Sequence, residues 1–259
     1  MNRVAVLVLT MAFSTAIAQN QNLSVPELRE KAEKGNAQAQ FSMGEAFYYG
    51  KGIPQDYAQA IVWYEKAALQ DDIEAEYSVG YMHRFGQGAP VSYPLAAFWL
   101  AGAAAGGYAP AQSELASLFE FGLGVEQDST KAFNWYMKAA QQRNVRGEFN
   151  VGLMYEQGDG IPQSHTRAVY WYRKAGEQGY AAAMWNLGEM YHTGKGVPRN
   201  FAEAYFWFDL ALSQRWDNMD PQYRTTLTTE RDEVASHLAN TALLQTQERA
   251  RVWADVHKP

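Results

Sequence analysis

Small and apolar residues recur along the chain in two alternating stripes. The first stripe carries Ala39, Met43, Gly44 and Phe47. It returns as Ala75, Val79 and Gly80, then as Ala111, Leu115 and Ala116, as Gly147, Val151 and Gly152, and as Ala183, Leu187 and Gly188. The second stripe carries Ala60, Trp63, Tyr64 and Ala67, an i, i+3, i+4, i+7 pattern. Residues at these intervals share one face of an α-helix, so each stripe predicts a helix with one apolar side. Between the two stands Gly50-Lys51-Gly52-Ile53-Pro54. Its glycines permit positive φ and end the first helix. Pro54, Pro90, Pro162 and Pro198 hold the chain extended beyond it. Asp56, Ser92, Asp128, Ser164 and Asn200 then change identity but keep N-capping chemistry, which marks a second helix start.

The stripes keep a constant step of 36 residues, as Trp63, Trp99, Trp135, Trp171 and Trp207 show, without insertion or deletion. Gly50, Gly86, Gly122, Gly158 and Gly194 keep the same step, as do Gly52, Gly88, Gly124, Gly160 and Gly196. Such a period signals a stacked repeat array, an all-α solenoid of helix-turn-helix units. The units span 35–70, 71–106, 107–142, 143–178 and 179–214. Repetition in every unit assigns the tryptophans to the core. Residues 19–34 form an amino-terminal capping helix that Ser24 starts, and 215–259 form carboxy-terminal capping helices. Asp220-Pro221 opens the first of these, with Tyr223, Leu227, Val234 and Leu238 on one side. The last carries Leu243, Leu244, Ala250 and Trp253.

Charge and composition remove several function classes. The net charge of −6 argues against a nucleic-acid partner, which needs clustered Lys and Arg. With no cysteine, disulfides, thiolate metal sites and cysteine nucleophiles are excluded. Arg3, the apolar run from Val4 to Phe13 and the small residues Ala16 and Ala18 match a secretory signal over 1–18. The run is too short to span a bilayer, which needs roughly 20 apolar residues. Cleavage near Ala18 predicts a periplasmic or secreted protein with no membrane span.

Catalytic motifs are missing. There is no G-x-S-x-G elbow, no S-x-x-K and no H-E-x-x-H. Gly158-Asp159-Gly160 is the repeat turn with a single carboxylate, a poor calcium site. His83 stands in an aromatic column and reads as a satisfied core residue. No catalytic residue, cofactor or metal is expected.

The motifs A-x-x-x-[LMV]-G-x-x-[YF]-x-x-G-x-G and A-x-x-W-[YF], with stretches such as Ala168-Val-Tyr-Trp-Tyr-Arg-Lys-Ala175, resemble the Sel-one-like repeat (SLR) family, a relative of the tetratricopeptide repeat. The resemblance covers 35–214. It implies a right-handed α-solenoid whose first helices line a concave face. On that face it places Phe41, Glu45 and Tyr49, then Tyr77, Tyr81 and Phe85, then Phe121, Phe149, Trp185 and Glu189, with Arg84 and His192 at its edge. Tyr81, Phe85 and Arg84 form an aromatic–Arg group of the kind that dominates binding energy. The family implies adaptor work, and some bacterial members resemble immunity proteins that neutralise antibacterial effectors such as phospholipases. Another branch is disulfide-rich and linked to penicillin binding, from which this chain departs by having no cysteine. The expectation is a monomeric, non-enzymatic periplasmic scaffold that binds another protein on its concave face. An envelope-assembly or signalling adaptor and, in a different class, a cell-wall-peptide or β-lactam hydrolase are the alternatives.

Overall fold

A computed structural model describes residues 23–214 and 221–257; the secretory signal expected over 1–18 lies outside them. The described residues form thirteen helices and no strand. Helix α1 (Val25–Glu33) precedes five pairs. These are α2 (Ala37–Tyr49) with α3 (Tyr57–Ala68), α4 (Ile73–Phe85) with α5 (Tyr93–Ala105), and α6 (Ala109–Phe121) with α7 (Ser129–Gln141). Then come α8 (Val145–Gln157) with α9 (His165–Glu177), and α10 (Ala181–Thr193) with α11 (Phe201–Ser213). Helices α12 (Pro221–Ser236) and α13 (Asn240–Val256) follow and both pack on α11. The chain divides into two compact units, Met1–Gln127 and Asp128–Pro259. No described helix is long and apolar enough to cross a membrane.

The local rules explain the helix ends. Asp56 Oδ1 accepts from the Gln59 N–H at 3.0 Å, and Asp128, Ser164 and Asn200 cap α7, α9 and α11 in the same way. Ser92 precedes α5 without a side-chain cap bond. Asn36, Asp72 and Asn144 cap α2, α4 and α8, a column the stripes do not mark. At the other end Gly50 closes α2 in the left-handed region at φ 68°, and its four equivalents do likewise. The second turn glycine has a further reason. A Cβ on Gly88 would overlap the Tyr57 carbonyl, and one on Gly196 the His165 carbonyl. The turn of one repeat therefore rests on the start of the preceding repeat's second helix.

Packing inside a pair sets the small residue of the first stripe. A Cβ on Gly44 would lie 2.5 Å from the Tyr64 ring, and one on Gly152 2.6 Å from the Tyr172 ring. Gly80 meets Leu100, and Gly188 meets Phe208. Tyr64, Leu100, Tyr136, Tyr172 and Phe208 are all buried. The tryptophan column behaves differently from the expected uniform core. Trp63 and Trp207 are buried, but Trp99, Trp135 and Trp171 are half-buried. Tyr64, Leu100, Tyr172 and Phe208, each just after a tryptophan, point at their own first helix, whereas the Trp207 indole reaches toward the preceding second helix. A Cβ on Gly176 would stand 3.2 Å from Trp207. Lysine ammonium groups stand over two of the indoles, with Lys138 Nζ 3.8 Å from the Trp135 ring centre and Lys174 Nζ 4.8 Å from that of Trp171.

The column of Gln40, Glu76, Gln112, Glu148 and Met184 mixes amides with carboxylates, and the Glu148 carboxylate is fully buried. Gln40 Nε2 donates to the Ala32 carbonyl at 3.0 Å, and Gln112 Nε2 donates to that of Ala104 at 3.2 Å. Gln40 also accepts from Gln70 Nε2 at 2.7 Å. Glu148 occupies the same column and is 0% exposed. Its Oε2 accepts from Gln178 Nε2 at 2.5 Å, but its Oε1 has no hydrogen-bond partner. Burial pushes the Glu148 carboxyl above its ordinary value, outweighing the Gln178 hydrogen bond and the Lys174 charge. Its folded pKa exceeds its unfolded one, so this site's stability is full below the unfolded value and falls as pH rises through the raised value. Glu148→Gln places an amide there and removes that loss. The variant should be about 1–3 kcal/mol more stable than wild type at pH 8. The gain should shrink below about pH 4, where the unfolded glutamate is itself protonated. Urea melts across pH check this; an equal gain at every pH would contradict the assignment.

Candidate functional site

In the amino-terminal unit the expected residues gather on the exposed side of α2 and α4. Tyr77, Tyr81 and Phe85 form a ladder on α4, with ring centres 6.0 and 4.5 Å apart, because positions four apart share a helix face. Tyr77 also meets Tyr108 at 5.1 Å, and Phe41 meets Tyr64 at 5.4 Å. Tyr49, Phe85 and Phe121 are exposed, whereas Phe41, Tyr77 and Tyr81 are half-buried. Between α2 and α4 lies a groove of about 370 Å³ lined by Phe41, Glu45, Tyr49, Glu74, Tyr77 and Tyr108, with Tyr64 at its base. Burial pushes the Glu74 carboxyl up, and the charges of Asp72 and Glu45 push it further. Burial and then the Glu45 charge push the Tyr64 hydroxyl up.

Arg84 does stand beside the aromatic ladder, its guanidinium carbon 5.3 Å from the Phe85 ring centre, but it is not free there. Its guanidinium pairs with Glu114 of α6 and donates to Ser117 Oγ at 2.6 Å, and its side chain is 15% exposed. Glu114 is itself buried, and a buried carboxylate needs a cation, so Arg84 fastens one repeat to the next. A signal for this exists in the sequence. Glu114 is a carboxylate in a column that holds Ser42, Ser78, Asn150 and Asn186 elsewhere.

In the carboxy-terminal unit, Phe149 packs between Tyr172 and Tyr180 at 5.8 and 5.0 Å. Trp185, Glu189 and His192 are taken up by the chain's own α12. Trp185 Nε1 donates to Glu230 Oε2 at 2.7 Å, and the Tyr223 ring stands 6.0 Å from the indole. Burial and then the Glu189 charge push the Glu230 carboxyl up. His192 Nε2 lies 3.8 Å from Glu233 Oε1. Leu227 and Val234 of α12 are fully buried, while Tyr223 stays exposed. On α13, Leu244 faces solvent rather than the core. Arg249 of α13 clamps Glu203 of α11 through both guanidinium nitrogens at 2.5 and 3.0 Å.

His83 lies in the core but is not satisfied: its Nδ1 has no hydrogen-bond partner, and its Nε2 is 3.8 Å from Glu65. No group of three metal-ligating side chains occurs among the described residues. On second helices, Phe98 of the amino-terminal unit and Tyr170 of the carboxy-terminal unit are each exposed. Both stand immediately before a repeat tryptophan, and Val62 shares their column. Lys174, which a second-helix position would place in solvent, instead lies 3.8 Å from Glu148.

The Sel1 repeat family matches residues 37–72, 73–108, 109–144, 145–180 and 181–215. No curated protein was found to match. Among solved structures, a Sel1 repeat protein from Oxalobacter formigenes is 22% identical with a TM-score of 0.71, over 99% of this chain and 96% of that one. The protein c5321, a protective antigen present in uropathogenic Escherichia coli strains and displaying an SLR fold, is 24% identical with a TM-score of 0.40, over 88% and 70%. Immunity protein Pa5087 from Pseudomonas aeruginosa is 20% identical with a TM-score of 0.43, over 80% and 72%. The Oxalobacter likeness bears on the fold and agrees with the repeating helix pairs of the described residues. Five consecutive matches, in step with the turn glycines and the paired helices, make this chain a member of the Sel1 repeat family.

Proposed function

We propose that this chain is a non-catalytic scaffold that binds a partner protein on the first-helix face of its amino-terminal unit. One observation carries the reading. The Tyr49, Tyr77, Tyr81 and Phe85 surface is aromatic and partly exposed beside a groove, and aromatic side chains dominate protein–protein binding energy. The equivalent face of the last repeat is already used to hold a helix, α12. The finer version places the chain in the periplasm or outside the cell after cleavage near Ala18. There it acts as an immunity protein that neutralises an incoming effector such as a phospholipase. This version rests on the family resemblance and the amino-terminal pattern. An envelope-assembly adaptor is the same scaffold with a resident partner.

The test places a photo-crosslinking amino acid at Tyr81 and, separately, at Phe98, and identifies the species captured from an envelope extract by mass spectrometry. The purified partner is then titrated against Tyr81→Ala/Phe85→Ala. That variant should bind at least tenfold more weakly while its melting curve stays near that of wild type. Phe98→Ala on α5 should bind as wild type. A partner that crosslinks through Phe98 and ignores the double variant would move the site to the second helices. Loss of a captured lipase's activity on adding the chain would identify the immunity role. Turnover of β-lactam or ester substrates above background would contradict the scaffold reading.

A further inference from the structure

The groove between α2 and α4 joins aromatic faces to carboxylates that outnumber the cation beside them. Glu45 and Glu74 line it, and Asp72 and Asp71 line a second hollow of about 480 Å³ that shares Gln38, Glu74 and Tyr108 with it. No lysine, arginine or histidine lines either. Burial and the charges of Asp72 and Glu45 disfavour ionised Glu74, and a cation entering the groove would relieve that penalty.

Two further observations point to an occupant. The first is Tyr64, whose side chain is 3% exposed and lines the groove. Its counterpart Tyr172 donates its hydroxyl to Glu156 Oε2 at 2.6 Å. The Tyr64 hydroxyl makes no hydrogen bond to any described residue. The oxygen is not itself sealed from solvent and opens into the groove, where an incoming donor can meet it. The second is Lys51 at the rim, whose ammonium sits 4.7 Å above the Tyr49 ring and 3.9 Å from Glu45. The fold thus already places one cation against this wall by cation–π and ionic attraction together.

We propose that this groove takes an arginine side chain from an exposed loop of the partner protein. The inference rests on the reading that this face binds a protein, and it names the chemistry recognised. A guanidinium is planar, stacks on tyrosine rings and carries five donors. Tyr77 and Tyr108 supply ring faces, Glu45 and Glu74 supply acceptors, and the Tyr64 hydroxyl oxygen supplies another. The two adjoining hollows form an open trough, which suits a length of chain around the arginine.

The experiment titrates the ¹⁵N-labelled full chain with a seven-residue glycine–serine peptide bearing one central arginine, and follows amide shifts. Parallel titrations use lysine or citrulline in its place, citrulline keeping the shape without the charge. The arginine peptide should shift amides around Glu45, Glu74 and Ser78. The citrulline peptide should bind at least tenfold more weakly, and the lysine peptide more weakly than arginine. Glu74→Gln should lose at least tenfold, whereas Glu33→Gln, which removes the same charge on α1 outside the groove, should stay within twofold. Equal binding of citrulline would overturn the proposal. So would equal losses in the two variants, which would mean diffuse attraction to an acidic surface, or tighter binding of lysine. If no peptide shifts these amides while the partner still needs Tyr81 and Phe85, this inference falls and the scaffold reading stands. If the partner ignores that face as well, both fall.

Discussion

Gly88→Ala should destabilise the amino-terminal unit by about 2–5 kcal/mol. The estimate combines the cost of a left-handed residue bearing a Cβ, about 1–2 kcal/mol, with the cost of forcing a packed contact apart, about 1–3 kcal/mol. Gly88 stands at φ 77°, and its absent Cβ would overlap the backbone of Tyr57. Backbone cannot rotate aside as a side-chain tip does, so the turn itself must move. Gly107 offers an internal comparison. It stands at φ 92° with nothing within 4 Å of where its Cβ would be. Gly107→Ala should therefore show only the conformational cost, about 1–2 kcal/mol. Thermal melts of both variants decide the matter. Equal melting temperatures would show that the contact between turn and helix does not hold neighbouring repeats together.

Tyr172→Ala should destabilise the carboxy-terminal unit by about 3–5 kcal/mol, as deleting a fully buried aromatic ring does. The ring lies on Gly152 with no exposed surface, and the cavity left behind would be lined by helix backbone that cannot collapse into it. Trp171→Ala, one residue earlier in α9, should cost about 1–2 kcal/mol, because that indole is half-buried, with the Lys174 ammonium over its ring. Tyr172→Phe should cost about 1 kcal/mol, the worth of the hydrogen bond to Glu156. The larger residue thus matters less than its smaller neighbour. Denaturant melts that rank Trp171→Ala as the more damaging change would return the tryptophan column to the core.

Helices, turns and caps were legible because the rules that place them act over a few residues. Gly50 needs only its own φ, Asp56 only the backbone three residues on, and a constant step repeats each lesson five times. What stayed hidden depends on side chains that meet across repeats. Trp63 and Tyr64 are adjacent and equally periodic, so periodicity alone cannot say which ring faces a glycine and which faces a neighbouring helix. Arg84 looked like an exposed anchor until Glu114, thirty residues on, came beside it. Trp185 and Glu189 sit in the same columns as Phe41, Tyr77, Glu45 and Tyr81 of repeats 1 and 2. Only the folding back of α12 distinguishes them, and nothing periodic announces that return. The aromatic ladder of Tyr77, Tyr81 and Phe85 was legible, because helical spacing alone puts those rings on one face.

The resting of each turn on the helix before it also bears on how such a gene can change. Unequal crossing-over between copies adds or removes whole 36-residue modules, and each new junction again sets a glycine like Gly196 against a helix start like His165. A single-codon insertion in the turn would lift that glycine off its seat and place a side chain where backbone already lies. Slippage by one codon is therefore penalised at the turns while recombination by modules is tolerated. The uninterrupted spacing from Trp63 to Trp207 is the record that this asymmetry leaves in the sequence.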